Sequence, residues 1–208
     1  MWRQGQSGGS GLFYGIARPS AGCDAWRAPG RDDGEATENY AADIHEGDLR
    51  AAMLAPACKS WSIARNRTET LRTKSAPWGV DGMSAKGQED LRDGNRLMKA
   101  CLTLARTMMH HNCPWAFEHP ATSYAWHTPE VLTLTRDPRV TTVTFDQCAF
   151  GTRWRKRTTV MFFLCDAADV DAFRDKRCQK QKVCVYTRRP HIQLTGMIPG
   201  TGCSWTSV

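Results

Sequence analysis

The sequence predicts an α/β fold with a mostly parallel sheet, and three observations carry that reading. Short apolar runs stop at a proline or an acidic residue, a long stretch of helical periodicity separates two of them, and polar residues able to do chemistry gather just past the runs. A chain of 208 residues is long enough for one domain whose core needs no disulfide staples. Lysine and arginine number 28 against 21 aspartates and glutamates, a formal net charge of +7 that favours a polyanionic partner such as nucleic acid. The nine cysteines are an odd count, and Met1–Gly11 is Gly/Ser/Gln-rich rather than a charged-then-apolar leader, so a reduced intracellular protein is expected. The longest apolar stretches, such as Val160–Cys165, fall far short of the roughly 20 residues of a membrane span, so no membrane contact is expected.

Taken in order, residues up to about Gly47 are rich in Gly, Ala, Pro, Asp and Glu and read as loops, with one short strand at Leu12–Tyr14. The apolar run Leu49–Ala55 ends at Pro56 and suits a buried strand that delivers its C-terminal end to a loop holding Cys58. Asn66–Lys86 scatters Arg, Lys, Thr, Gly and Pro and reads as a mobile basic excursion. Between Lys86 and His111, apolar residues from Leu91 to Met109 recur at helical steps, predicting a long amphipathic helix packed on the sheet. Asn112–Pro114 breaks it, and Trp115-Ala116-Phe117 forms a strand ending in Glu118-His119-Pro120. Val140–Phe145 and Thr158–Leu164 are two further strands around the loop Asp146–Arg157. Cys58, Glu118 and Gln147 thus each lie just past a strand, where α/β sheets collect their chemistry.

These segments resemble a known family. Leu54-Ala55-Pro56-Ala57-Cys58-Lys59-Ser60-Trp61-Ser62 is similar to the Pro-Cys loop of DNA cytosine-C5 methyltransferases, and Phe117-Glu118-His119-Pro120 resembles their Glu-Asn-Pro motif. Glu89–Leu97 stands where the family has an Arg/Asn-containing helix start near S-adenosylmethionine. Asp146–Arg157 resembles its Gln-and-basic loop. The likeness runs from about Ala51 to Leu164, roughly half the chain, and is closest to short, divergent members from phages and mobile elements.

The resemblance implies a Rossmann-like, S-adenosylmethionine-dependent methyltransferase fold over residues 1–164, with residues 1–47 as a short, poorly defined cofactor end, and a small Cys/His-containing extension over 165–208. It implies methyl transfer to C5 of a cytosine flipped out of DNA. That carbon becomes nucleophilic only when a thiolate adds to C6 and N3 is protonated, so a cysteine and a carboxylic acid must meet on one base. By the resemblance Cys58 attacks C6 and Glu118 contacts N3, with Arg155, Lys156 and Arg157 beside them. Phe13, Gly15, Pro56 and Asn95 would bind S-adenosylmethionine, and Ser60, Arg65, Gln147 and Gly151 would bind nucleic acid. Lys59 and Arg65 are expected to lower the Cys58 pKa.

The sequence departs from the family at the front. Leu12-Phe13-Tyr14-Gly15-Ile16-Ala17 keeps one glycine of the cofactor turn and has Ala17 at the second. Asp24, Asp32, Asp33 and Asp43 are all open as the ribose-binding acid. His119 replaces Asn, and Ala57 directly precedes the cysteine. In the tail Cys165, Cys178, Cys184 and His191 are ligand types for tetrahedral zinc, at a looser spacing than a zinc finger's; free thiols are the plainer reading. Taken singly, Cys58 is more often a buried structural residue, Glu118 a surface carboxylate, and Trp61, Trp115, Trp126 and Trp154 core residues. Two alternatives to the enzyme therefore stand: an inactive relative kept as a basic nucleic-acid-binding module or mobile-element remnant, and a zinc-binding interaction domain.

Overall fold

A computed structural model describes residues 42–47, 49–179 and 182–192, together with the backbone of 13–16. Asp24, Asp32 and Asp33 lie outside the described residues, and of Phe13 and Gly15 only the backbone is described. The strands are β1 (Phe13–Ile16), β2 (Ala52–Ala55), β3 (Trp115–Pro120), β4 (Val140–Asp146) and β5 (Arg157–Phe163). The helices are α1 (Ala85–His110), α2 (Pro129–Thr135) and α3 (Ala167–Asp171), with 3-10 turns at Ile63–Arg67, Tyr124–His127 and Gln147–Phe150.

The sheet order is β1-β2-β3-β5-β4. The α/β class therefore stands, but the sheet is not mostly parallel among the described strands. Only β2 and β3 pair parallel, with Leu54 opposite Phe117, whereas β1·β2, β3·β5 and β4·β5 are antiparallel. The difference has a local cause. A parallel pair needs a long crossover, which the 26-residue α1 supplies between β2 and β3. The link from β4 to β5 is only the turn and loop after Asp146, so β5 folds straight back and inserts between β3 and β4.

Alternation along the strands divides the apolar residues between two faces. On one, Leu54, Trp115, Phe117, Met161 and Phe163 pack against Leu97, Met98, Cys101, Leu102, Ala105 and Met108 of α1 and Val131 and Leu134 of α2. On the other, Val143, Phe145, Val160 and Phe162 meet Val170 of α3 and Phe173. Among the described residues no helix is long and apolar enough to cross a membrane.

α1 begins at the N-cap Ser84, whose Oγ accepts from the Gly87 N–H at 3.0 Å. Its first turns press on the loop after β2. A Cβ on Gly94 would collide with Ser60 Oγ and lie 3.1 Å from Arg72 Nη2, so only glycine permits this approach. The Trp61 indole N–H donates to Gly94 O at 3.0 Å from the other side of that contact.

Asn66–Lys86 is correspondingly not a mobile excursion. Leu71 and Arg72 are fully buried, and Trp78 packs on the core. Arg72 organises the segment: Nε donates to Ser60 O (2.9 Å), Nη1 to Pro77 O and to Asn95 Oδ1 (2.7 Å each), and Nη2 to Ser60 Oγ (3.1 Å). Its guanidinium also lies 3.5 Å from the Trp61 ring centroid. Burial lowers its pKa to about 9, so the cation is held by neutral oxygens and a π-face. A composition-based reading misses this because one buried arginine can replace the apolar residues such a segment lacks.

Candidate functional site

β2 and β3 run in the same direction, so their C-terminal ends open on the same edge of the sheet. β2 delivers Pro56, buried, and Cys58, half-buried, into a tight turn in which Cys58 O accepts from the N–H groups of Trp61 (3.1 Å) and Ser62 (3.0 Å). Ser62 then caps the 3-10 turn Ile63–Arg67. β3 runs further than expected, through Pro120, so Glu118 and His119 lie in the sheet opposite Val160 and Thr159.

The third group comes from the segment leading into β5. Lys156 Nζ lies 3.4 Å from Glu118 Oε1, both side chains being mostly shielded. Both charges act on the Cys58 thiol. Its pKa is raised, first by burial, with Lys156 pulling it down and Glu118 pushing it up. This corrects the expected lowering by Lys59 and Arg65. Those two cations are turned away to Asp90 on α1, at 3.0 and 3.3 Å, and Arg65 also bonds Thr68. Desolvation of a thiolate outweighs the one ammonium that does reach it.

Of the three basic residues expected beside Cys58 and Glu118, only Lys156 joins them. Arg155 and Arg157 point to the buried Asp146, with Nε to carboxylate distances of 3.5 and 3.2 Å. Alternation explains the split: in an extended segment residues 155 and 157 share one side and 156 takes the other. Asn95, expected at the cofactor, uses its amide internally, accepting from Arg72 and donating to Trp78 O at 2.8 Å. Ser60, expected at nucleic acid, is buried with its Oγ on Arg72. Gln147 is half-buried and donates to Thr158 Oγ1 (3.1 Å) while accepting from the Trp154 indole N–H (2.9 Å). Gly151 is exposed in a left-handed conformation, φ +90°, at the head of the same loop. Asp43 sits in a helical turn at residues 42–45, its carbonyl accepting from Leu49 N–H.

His119 was read only as a departure from a motif, yet it is fully buried beside Phe117 and Trp126, and neither ring nitrogen has a hydrogen-bond partner among the described residues. Its pKa falls to about 3, first through burial and then through the charges of Lys156 and Arg72. Next to the Cys58 loop, a shallow cleft of about 350 Å³ is lined by Ile63, Ala64, Asn66, Arg67 and Thr122. It flanks the cysteine turn and does not include the Cys58, Glu118 and Lys156 side chains.

The tail brings together a second set of groups. Cys148, Cys178, Cys184 and His191 present one ligand atom each, all within 4.8 Å of one another. Cys165, expected in this set, is elsewhere: its Sγ–H faces Trp115 O and Phe163 O at 3.6 Å each. Cys165 follows the C-terminal end of β5, whereas Cys148 follows β4 beside the N-terminal end of β5, because Asp146 pairs with Arg157. A strand of this length separates them by roughly 20 Å at about 3.3 Å per residue. The sequence signal for Cys148 was its position directly after Gln147, at the mouth of the loop.

No protein-family model, curated protein or solved structure matches the chain.

Proposed function

We propose that this protein is an S-adenosylmethionine-dependent DNA cytosine-C5 methyltransferase with Cys58 as nucleophile and Glu118 as its acid partner. One observation carries the reading. A thiol, a carboxyl and an ammonium converge at the C-terminal ends of the parallel pair β2 and β3, joined by a βαβ crossover, with the carboxyl and ammonium paired at 3.4 Å and both acting on the thiol. A Rossmann-like methyltransferase fold is part of the proposal, with β2-α1-β3 as its supported unit.

The chemistry follows from the types of the three groups. The Cys58 proton passes to the Glu118 carboxylate and from it to cytosine N3 as the sulfur adds to C6, so that electron density collects at C5. Lys156 stabilises the anionic forms of both partners as charge moves between them. S-adenosylmethionine supplies the electrophilic methyl group. Water then takes the C5 proton, the N3 proton returns through Glu118 to the departing Cys58 sulfur, and 5-methylcytosine is left. A net charge of +7 supports a DNA partner.

A second reading rests on a specific observation. Asn95, which the resemblance assigns to the cofactor, spends its amide hydrogen bonds inside the protein. That favours a relative which binds nucleic acid without transferring methyl groups. Incubation with radiolabelled S-adenosylmethionine and cytosine-containing DNA separates the two, with 5-fluorocytosine DNA as a trap, since fluorine at C5 leaves no proton to remove and the Cys58 adduct persists. Label transfer and a trapped adduct, both absent in Cys58→Ser, are the expected result. Salt-dependent DNA binding with no cofactor affinity and no adduct would overturn the enzyme reading.

A further inference from the structure

We propose that Cys148, Cys178, Cys184 and His191 form a closed tetrahedral zinc site that fastens the C-terminal segment to the loop carrying Lys156. The ligand set is already gathered, with the four atoms within 4.8 Å and Cys178 Sγ 3.7 Å from His191 Nε2. Zinc–thiolate bonds of about 2.3 Å put ligand–ligand edges near 3.8 Å in a tetrahedron, so a contraction of about 1 Å on the longest edge completes the geometry. Three thiols and an imidazole, with no carboxylate among them, select zinc over calcium or magnesium, and four protein ligands leave no open position for catalysis.

The surroundings have no other account. Among the described residues the three buried cysteines form a cluster of their own, with Val185 packed against it. Val183, Tyr186 and Ile192 of the same segment are exposed, so the tail has too little buried apolar surface to order itself. Its backbone is nonetheless tightly folded. Cys184 N–H donates to Arg189 O (2.8 Å), Arg188 N–H donates to Cys184 O (3.0 Å), and Arg188 takes a left-handed φ of 57°. Three cysteines cannot all be satisfied by disulfides, and all three are free.

The same groups are wired to the loop. Cys148 opens it, and Asp146 Oδ2 accepts from the Cys178 N–H at 2.8 Å while its carboxylate meets Arg155 and Arg157. Ile192 N–H donates to Arg153 O at 2.9 Å. Metal binding therefore restrains both flanks of residues 153–157, and Lys156 between the two arginines is held facing Glu118. The site stands whether or not Cys58 acts on cytosine.

Purified protein is expected to carry one zinc per chain by elemental analysis. After chelation, cobalt(II) should restore a tetrahedral visible spectrum with thiolate-to-cobalt charge-transfer bands. Cys148→Ser and His191→Ala should lose stoichiometric metal, while Cys165→Ser keeps it. Because Cys148→Ser could misfold, the coupling is read on the wild-type chain. Trypsin should cut after Arg153, Arg155, Lys156 or Arg157 faster in chelated protein, and added zinc should reverse this. A chain that takes up neither zinc nor cobalt, or that pairs two of these cysteines in a disulfide, overturns the site. Metal binding with unchanged cleavage of 153–157 overturns its link to the loop.

Discussion

Replacing Gly94 by alanine tests whether α1 truly presses on the cysteine loop. At an ordinary mid-helix position this change stabilises by about 1 kcal/mol, because glycine is the weaker helix former. Here the new Cβ meets Ser60 Oγ, and Ser60 Cβ stays 3.3 Å away. Rotating the Ser60 hydroxyl aside gives up the bond from Arg72 Nη2 at 3.1 Å, worth about 1.5 to 3 kcal/mol for a charged donor. Residual overpacking adds about 1 to 3 kcal/mol. The steric terms win, and the expected net loss is about 1.5 to 5 kcal/mol, a drop in Tm of roughly 3 to 20 °C for a domain of this size. Gly87→Ala, seven residues earlier on the same helix, is the control. Its Cβ would meet the carboxylate end of Glu69, at 2.6 Å, and moving that exposed group aside gives up its bonds from the Ser84 N–H and hydroxyl, so after the gain in helix propensity its loss should be about 0 to 2 kcal/mol. Thermal unfolding followed by circular dichroism reads both variants. If Gly94→Ala melts at or above the wild-type temperature, the close approach of α1 to the loop is wrong, and with it the account of how Cys58 is positioned.

Three further outcomes follow from the buried charges. His119, with a pKa lowered to about 3 by burial and then by Lys156 and Arg72, is neutral in the folded protein but gains a proton below about 6.5 when unfolded. Its contribution is therefore intact above that value and is lost as pH falls toward 3, at up to about 1.4 kcal/mol per pH unit. His119→Phe should flatten that acid limb in urea titrations at pH 5 and 7.5, and an unchanged slope would contradict the assignment. Cys58 should react with iodoacetamide more slowly at pH 7.5 than an ordinary thiol, because burial raises its pKa, with Lys156 opposing and Glu118 adding to the shift. Lys156→Met should slow it further and Glu118→Gln should speed it; peptide mass spectrometry against pH reads the order, and fast wild-type alkylation at pH 7 would refute it. Arg72→Met removes the donor for Ser60 O, Pro77 O and Asn95 Oδ1 together, and stranding buried acceptors at about 1 to 3 kcal/mol each should abolish a cooperative melt or lower it by more than 10 °C. A melt close to wild type would mean the loop is held by other contacts.

Much of this protein could be read from local pattern alone. The apolar repeat through Leu97, Cys101, Leu104, Ala105 and Met108 fixes a long helix and its buried face, because helical periodicity depends only on the order of residues along the chain. The runs ending at Ala55 and around Phe117 locate two strands, and with them the positions of Cys58 and Glu118. What the residues do to each other was decided by the third dimension. Strand direction depends on which edge a strand finds, so a short β4–β5 link that turns β5 back between β3 and β4 replaces parallel pairs with antiparallel ones. That reversal sends Cys165 to one end of the sheet and brings Cys148 to Cys178, Cys184 and His191. Three consecutive basic residues look equivalent in sequence, but backbone alternation gives Arg155 and Arg157 to Asp146 and Lys156 to Glu118. Burial, which no single residue announces, made Arg72 the anchor of the basic segment and raised the Cys58 pKa where neighbouring charges in the sequence pointed the other way.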